Sequence, residues 1–300
     1  MAMRDTFFFA AGLAFLLLAK AKNVLHGYSS PKPFDISDAE RCVTYDMAVV
    51  DEWLSHLERY VGGADDDFGL SGRDVLELGP GSDLGVGLYL LSKGVHSYSA
   101  CDVNNLALAV SDSFYETLFA RLRADGKVDS SELLRAELAR TKHGAASRLN
   151  YVVRDDFDLA SAFGENAVDL VFSQAAFEHF DDIDATVGGL SSVCRPGAVI
   201  VAEIDLKTHS RWIRDKDPNN IYRYPQWLYH AFWFRGAPNR QRPVQYIAAF
   251  ERHGWTDIVV LPLSRRDTQD DSSLYAAFRD ASNEMSLLSV VLCARLPAAV

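Results

Sequence analysis

The sequence predicts an α/β fold, doubly wound around a mostly parallel sheet of seven strands. Three observations carry that expectation. From residue 74 onward, short apolar runs alternate with longer stretches of helical period, the signature of parallel strands joined by crossover helices. The first run, Val75-Leu76-Glu77-Leu78, passes directly into Gly79-Pro80-Gly81 and then into an apolar helix. The next run closes on an acid, Asp102, at the carboxyl end of its strand, where open α/β sheets present groups to a ligand.

Taken in order, strands are expected at 74–78, 97–101, 150–153, 168–172, 198–204, 257–261 and 287–294, and helices over 85–92, 106–124, 183–193 and 243–253. Ahead of the sheet, 38–60 places Val43, Met47, Val50, Leu54 and Leu57 at helical spacing, with Ser37 or Asp38 as its start and a loop after it over 62–72. The expected organisation is an N-terminal helical extension at 1–60 and one sheet domain at 61–300, carrying insertions at 125–148 and 207–242. The first insertion reads as an extra charged helix with loops. The second, after strand five, contains Trp212, Trp227, His230 and Trp233 and is too aromatic for disorder. Long insertions in compact domains are commonly functional, so a lid or substrate wall is expected there, with a satellite core as the structural alternative.

Composition narrows the function. With 300 residues at 48% hydrophobic, the chain has enough apolar material for a large core. A net charge of -11, from 41 acidic against 30 basic residues, argues against nucleic acid as a partner and against a polyanionic substrate. Cys42, Cys101, Cys194 and Cys293 lack CxxC spacing and read as small core residues. Carboxylates do not gather at the ends of strands four and five, where Ser173 and Asp205 stand, so no metal is expected. Asp181-Asp182 reads as the first turn of a helix, where acids suit the dipole. An unbroken apolar run at 7–19 is too short to span a bilayer. It leaves three readings open: a buried or partner-docking helix, a membrane-surface anchor, and a signal peptide with Ala19-Lys20-Ala21 as its cleavage site. Peripheral membrane contact or helix-mediated self-association through 7–19 follows from the first two.

The residues at the first strand carry a resemblance. Glu77-Leu78-Gly79-Pro80-Gly81 resembles the E/D-x-G-x-G first motif of class I S-adenosylmethionine (SAM)-dependent methyltransferases, and Asp102 falls where that family's ribose-binding acid follows. Arg154-Asp155-Asp156-Phe157 resembles the acid-plus-apolar pair beside adenine, and 168–173 resembles the fourth strand, ending on Ser173. Glu178-His179 is similar to the "EH" of the small-molecule branch, and Arg195-Pro196-Gly197-Ala198 to the turn into strand five. The resemblance implies a Rossmann-like fold with SAM as cofactor, bound by Glu77, Gly79, Pro80, Gly81, Asp102, Val103, Asp156, Phe157 and Ser173. It also implies a cytoplasmic setting, which weakens the signal-peptide reading. A nicotinamide enzyme would need G-x-G-x-x-G, but Leu84 stands at the third position and Gly85 arrives one residue late. Glu77 would also repel a phosphate.

Methyl transfer is an in-line displacement that needs alignment and exclusion of water more than covalent machinery. A hydroxyl acceptor must also lose a proton, and histidine is the usual base near neutral pH. His209, just past strand five, is the first candidate, with Asp205 to orient it and His179 as the second imidazole. The segment 203–255 resembles bacterial saccharide and natural-product methyltransferases through Ile204-Asp205-Leu206-Lys207-Thr208-His209 and Asp217-Pro218-Asn219-Asn220. A hydroxyl of such a small molecule is therefore the expected acceptor. N-methylation, a lipid acceptor and a non-catalytic SAM-binding protein are the alternatives.

Overall fold

The computed structural model describes residues 3–27, 37–62, 69–126, 128–210, 212–267 and 271–298. The middle of the expected 62–72 loop lies outside them. Two helices come first, α1 (Met3–His26) and α2 (Ala39–Val61), followed by β1 (Asp74–Leu78), α3 (Gly85–Ser92) and β2 (Ser97–Asp102). Then come α4 (Asp112–Ala124), α5 (Val128–Lys142), β3 (Leu149–Val153), α6 (Leu159–Phe163) and β4 (Val168–Gln174). The chain closes with α7 (Ile183–Val193), β5 (Cys194–Asp205), α8 (Gln226–Ala231), α9 (Pro243–Arg252), β6 (Thr256–Arg265) and β7 (Leu287–Arg295).

The seven strands lie in the order β3-β2-β1-β4-β5-β7-β6. Strand β1 runs parallel to β2 and to β4, and β2 parallel to β3, so the four strands share one direction. The final hairpin is antiparallel. Leu206 N–H donates to Leu288 O while Leu296 N–H donates to Ala198 O, and the two registers advance in opposite senses along β5 and β7. This is the mostly parallel, Rossmann-like sheet the sequence predicts.

Three local outcomes differ from expectation, each with a chemical cause. The helix expected from 106 begins only at Asp112, because Val110 and Ser111 are extended and leave a short 3-10 turn at Ala107–Ala109 before them. Helix α6 escapes the sequence because it is a single short turn; Asp158 caps it by accepting from Ser161 N–H. Helix α1 outruns the 7–19 apolar run, since Lys20 and Lys22 sit within it without ending it. At 24 residues it is long and apolar enough to cross a membrane by length and composition. Asp38 is the residue that starts α2, accepting from Arg41 N–H at 3.1 Å. Cap bonds of this kind contribute about 0.5–2 kcal/mol.

The chain separates into two compact units. The larger comprises Ser29–Gln174, Gly188–Ala202 and Cys293–Val300. Its core is β1 to β4 with the helices that cover them, and Arg195 staples two strand starts by pairing with Asp74 at 3.0 Å and Asp169 at 2.7 Å. The smaller comprises Met1–Tyr28, Ala175–Val187 and Glu203–Leu292. Here the aromatic insertion builds a core of Ile221, Tyr222, Tyr224, Tyr229, Leu274 and Met285, against which Phe9, Leu13 and Leu16 of α1 pack. All four cysteines are buried and free.

Helix α1 is held to the insertion by specific bonds as well as by apolar area. Asn220 Nδ2 donates to Phe8 O at 2.9 Å, Tyr224 OH to Phe9 O at 3.0 Å, and Lys20 Nζ to Ala231 O at 3.0 Å. Gly12 permits this approach: a Cβ there would lie 1.8 Å from Asn220 Oδ1 and 2.2 Å from the Tyr224 hydroxyl. The opposite side of α1 leaves Phe7, Leu17, Leu18, Val24 and Leu25 exposed.

Candidate functional site

In the larger unit, β1 ends in a turn whose geometry demands glycine. Gly79 and Gly81 have φ of 73° and 75°, in the left-handed region where a side chain is strained. Two bonds fix the turn: Gly79 N–H donates to Cys101 O at 3.0 Å, and Ser173 Oγ donates to Leu78 O at 3.1 Å. Ser173 thus braces the strand that carries the turn. At the following helix start, Asp83 accepts from Gly85 N–H at 3.0 Å. Gly85 and Gly87 are needed for packing: their Cβ atoms would fall 2.4 Å from Asp46 Oδ2 and 2.3 Å from the Tyr98 ring. That explains the glycine arriving late for a dinucleotide fingerprint.

Glu77 is buried, and the Tyr98 hydroxyl donates to its Oε2. The carboxylate also raises the Tyr98 phenol, already pushed up by burial. Trp53 stacks on Phe172 at 4.7 Å and donates to Gln174 Oε1 at 2.9 Å, ordering the end of β4. Neither Trp53 nor Tyr98 carried a sequence signal, because each reaches this region from a different element.

Asp102, at the end of β2, is only 8% exposed. Burial raises its carboxyl above the ordinary value, while the backbone N–H groups of Asn104, Val103 and Gly81 pull it back. The Asn104 bond measures 2.9 Å. Beside it an open cleft is lined by Val103, Val153, Arg154, Asp155 and Asp156. Asp156 is held in a two-pronged pair with Arg154 at 2.7 and 2.8 Å, which keeps its carboxyl well below the usual range. Phe157 follows with φ of 52°, a costly conformation for a bulky residue. A glycine turn, a buried acid at the end of the neighbouring strand and an adjoining cleft are compatible with SAM.

The smaller unit brings together residues distant in sequence. Glu178 and His179 sit on a 3-10 turn at Phe177–His179. Asn239 locks that turn, donating from Nδ2 to Phe177 O at 2.8 Å and to Phe180 O at 3.1 Å, and from its backbone N–H to Glu178 O at 2.7 Å. Phe177 anchors it from below against Phe180, Tyr246 and Phe250. His209 arrives from the loop after β5, which is tied down where Thr208 N–H donates to Pro218 O at 2.7 Å.

The two imidazoles meet edge to face with ring centres 4.7 Å apart, and His209 Nε2 lies 3.9 Å from Glu178 Oε1. His179 Nδ1 is 2.7 Å from Gly236 O, so it carries the proton and leaves Nε2 with a lone pair. Burial, with His179 adding to it, pushes the His209 imidazole down to about 3. Burial and the charge of Asp205 push the Glu178 carboxyl well up. Neither Glu178 oxygen, nor His209 Nδ1, has a hydrogen-bond partner among the described residues.

Asp205 does not bond His209. Its carboxylate is taken up by Arg214, by Lys207 N–H at 3.1 Å and by the Lys207 ammonium at 3.8 Å. The acid beside His209 is Glu178, which the sequence shows within the "EH" pair without marking its role. The tryptophans of the insertion also stand differently from a closed wall: Trp212 is 79% exposed and Trp227 72%, and it is the tyrosines that fill the core.

A methyltransferase-domain family model matches residues 124–202. No curated protein matches the chain by sequence. Among solved structures, the CurJ carbon methyltransferase is 16% identical with a TM-score of 0.41, over 76% of this chain and 50% of that one. The chain thus spans about half the length of that relative. Phosphoethanolamine N-methyltransferase 2 of Haemonchus contortus, in complex with SAM, is 14% identical with a TM-score of 0.45, over 83% of this chain and 53% of that one. Geranyl diphosphate methyltransferase, in complex with SAM, is 13% identical with a TM-score of 0.43, over 85% of each chain. At such scores these likenesses say nothing of the acceptor.

Proposed function

We propose that this chain, which belongs to the class I SAM-dependent methyltransferases, methylates a hydroxyl of a small molecule such as a saccharide or natural-product intermediate. One observation carries the hydroxyl assignment. The His209 imidazole is half-buried and neutral, and its Nδ1 has no hydrogen-bond partner among the described residues, beside the Glu178 carboxyl. An amine that is already neutral attacks without such a base, whereas a hydroxyl must shed a proton as its oxygen takes up the methyl group.

SAM supplies a methyl group on a sulfonium whose sulfur becomes neutral on transfer. The chain's residues bind, orient and exclude water. Asp102 would accept from the ribose hydroxyls, the backbone of Gly79, Pro80 and Gly81 would take the close approach, and Val103, Asp156 and Phe157 would border the adenine. Glu77 and Ser173 support this end through Tyr98 and Leu78. His209 would take the hydroxyl proton at Nδ1; Glu178 lies 3.9 Å from Nε2, and the imidazolium formed would draw that raised carboxyl toward its ionised form. His179, fixed by Gly236, and Asp205, fixed by Arg214 and Lys207, set the potential around His209. The exposed apolar side of α1 supports its reading as a peripheral membrane or helix-pairing surface.

Conversion of SAM to S-adenosylhomocysteine, measured with saccharide, phenolic and amine acceptors, tests the reading. Turnover with hydroxyl acceptors and none with amines is expected. Turnover only with amines, or SAM bound and never consumed, would overturn it.

A further inference from the structure

We infer that Glu178, His179 and His209 form a binding site for a divalent first-row transition-metal ion. Each residue offers one ligand atom, and the three atoms lie within 4.8 Å of one another. Two imidazole nitrogens and one carboxylate oxygen form a donor set suited to Zn²⁺, Fe²⁺, Mn²⁺ or Co²⁺, and poorly suited to Mg²⁺ or Ca²⁺, which favour oxygen. The sequence gives no hint of this set, since the expectation against a metal weighs cysteine spacing and clustered carboxylates.

The state of each donor points the same way. Both oxygens of Glu178 are buried without a hydrogen-bond partner among the described residues, an unfavourable state for a carboxyl. A cation would satisfy both. His179 shows the arrangement typical of metal-ligating imidazoles: the outer nitrogen donates to a backbone carbonyl, which fixes the ring and leaves the other lone pair free. His209 brings Nε2 to 3.9 Å from Glu178 Oε1, and its Nδ1 has no hydrogen-bond partner among the described residues. Burial also holds both imidazoles in the neutral form that metals bind. The turn bearing Glu178 and His179 is pinned by three bonds from Asn239, so the donors are placed before any ion arrives. Nearby, Arg214 and Lys207 engage Asp205 and offset its charge, leaving Glu178 as the acid that faces the ion.

The inference uses residues of the proposed proton transfer but does not depend on it. With the ion bound, His209 would be a ligand, and the ion's charge would make an acceptor hydroxyl acidic enough to release its proton to solvent. With the site unloaded, His209 remains the proton acceptor.

The test is Co²⁺ titration of the metal-stripped full chain, read by visible ligand-field absorption, with Zn²⁺ competition and metal counting by mass spectrometry. One equivalent of Co²⁺, displaced by Zn²⁺, is expected. Glu178→Gln, His179→Gln and His209→Gln should each weaken it at least tenfold while SAM affinity stays within about threefold, showing that the variants are folded. Absence of stoichiometric binding at roughly 100 µM free Co²⁺ would overturn the inference. So would equal binding by all three variants, which would place the ion elsewhere. Neither result requires an acceptor, so failure of the hydroxyl reading remains separately visible.

Discussion

The residues proposed to hold SAM and those proposed to handle the proton are organised by different physics. In the larger unit, Gly79, Pro80 and Gly81 occupy one turn and Asp102 ends the neighbouring strand, so a single β-α-β step delivers the set. It works through backbone: left-handed φ at two glycines, and N–H groups directed at one acid. In the smaller unit, Glu178 and His179 come from the turn after β4 and His209 from the loop after β5, joined through Asn239, Gly236 and Pro218. That set works through burial, which keeps its imidazoles neutral and its carboxyl raised. A site written in backbone is specified by a few adjacent letters, whereas a site written in burial needs the whole insertion to fold first.

Separating the two sets by mutation gives the largest expected effect. His209→Gln should lower kcat by roughly 10² to 10⁴ with SAM affinity unchanged, the usual contribution of a positioned proton-transfer group. Single-turnover kinetics alongside calorimetry measure both, and a kcat within threefold of the parent would move the role to another residue. Asp102→Asn should do the converse: SAM affinity falls at least tenfold, about 1.4 kcal/mol, as charge-assisted bonds to the ribose become neutral ones. Unchanged affinity would remove the ribose assignment.

Asp102 also predicts a pH dependence. Its folded carboxyl is raised above 3.8, so on acidification it protonates earlier than an ordinary aspartate, and SAM affinity should fall with it. The same shift means that at neutral pH the buried charge weakens folding. Asp102→Asn should therefore melt no lower than the parent at pH 7 while binding SAM worse, a split that a merely structural acid would not show.

Smaller effects mark the framework of the smaller unit. Gly12→Ala drives a Cβ into Asn220 and Tyr224 and should destabilise by about 1–3 kcal/mol, read by thermal melting, with SAM affinity intact. Trp227→Ala removes a ring that is 72% exposed and should change stability by no more than about 0.5 kcal/mol. A loss of several kcal/mol there would show that the ring is part of the core.

The sequence pattern foretold the seven strands, the glycine turn and Asp102, because each depends on residues adjacent in the chain or one strand away. It placed His209 and His179 among the catalytic candidates but paired His209 with Asp205, its neighbour in sequence. The structure gives Asp205 to Arg214 and sets Glu178 beside His209, a choice made by how the loop after β5 is tied to Pro218. The bracing roles of Trp53 and Tyr98 were illegible for a similar reason: each is an ordinary core aromatic until α2 and β2 bring it to Gln174 and Glu77.

The docking of α1 on the insertion has a consequence for the order of events during synthesis. Its bonds to Asn220, Arg223, Tyr224 and Ala231 span 211 to 218 residues of chain. At about 5–20 residues per second, a ribosome takes roughly 10–40 s to make that much chain. Throughout that interval Phe9, Leu13 and Leu16 lack the tyrosines they pack against, and the whole apolar circumference of the helix is open to chaperones, to membranes or to other nascent chains. Chains halted before Asn220 should accordingly be cut by protease within α1, where the finished protein resists. Equal resistance in both would mean that α1 finds cover without the insertion. Helix α1 is thus made early and housed late, and what it meets in between is decided by kinetics before the native contacts exist.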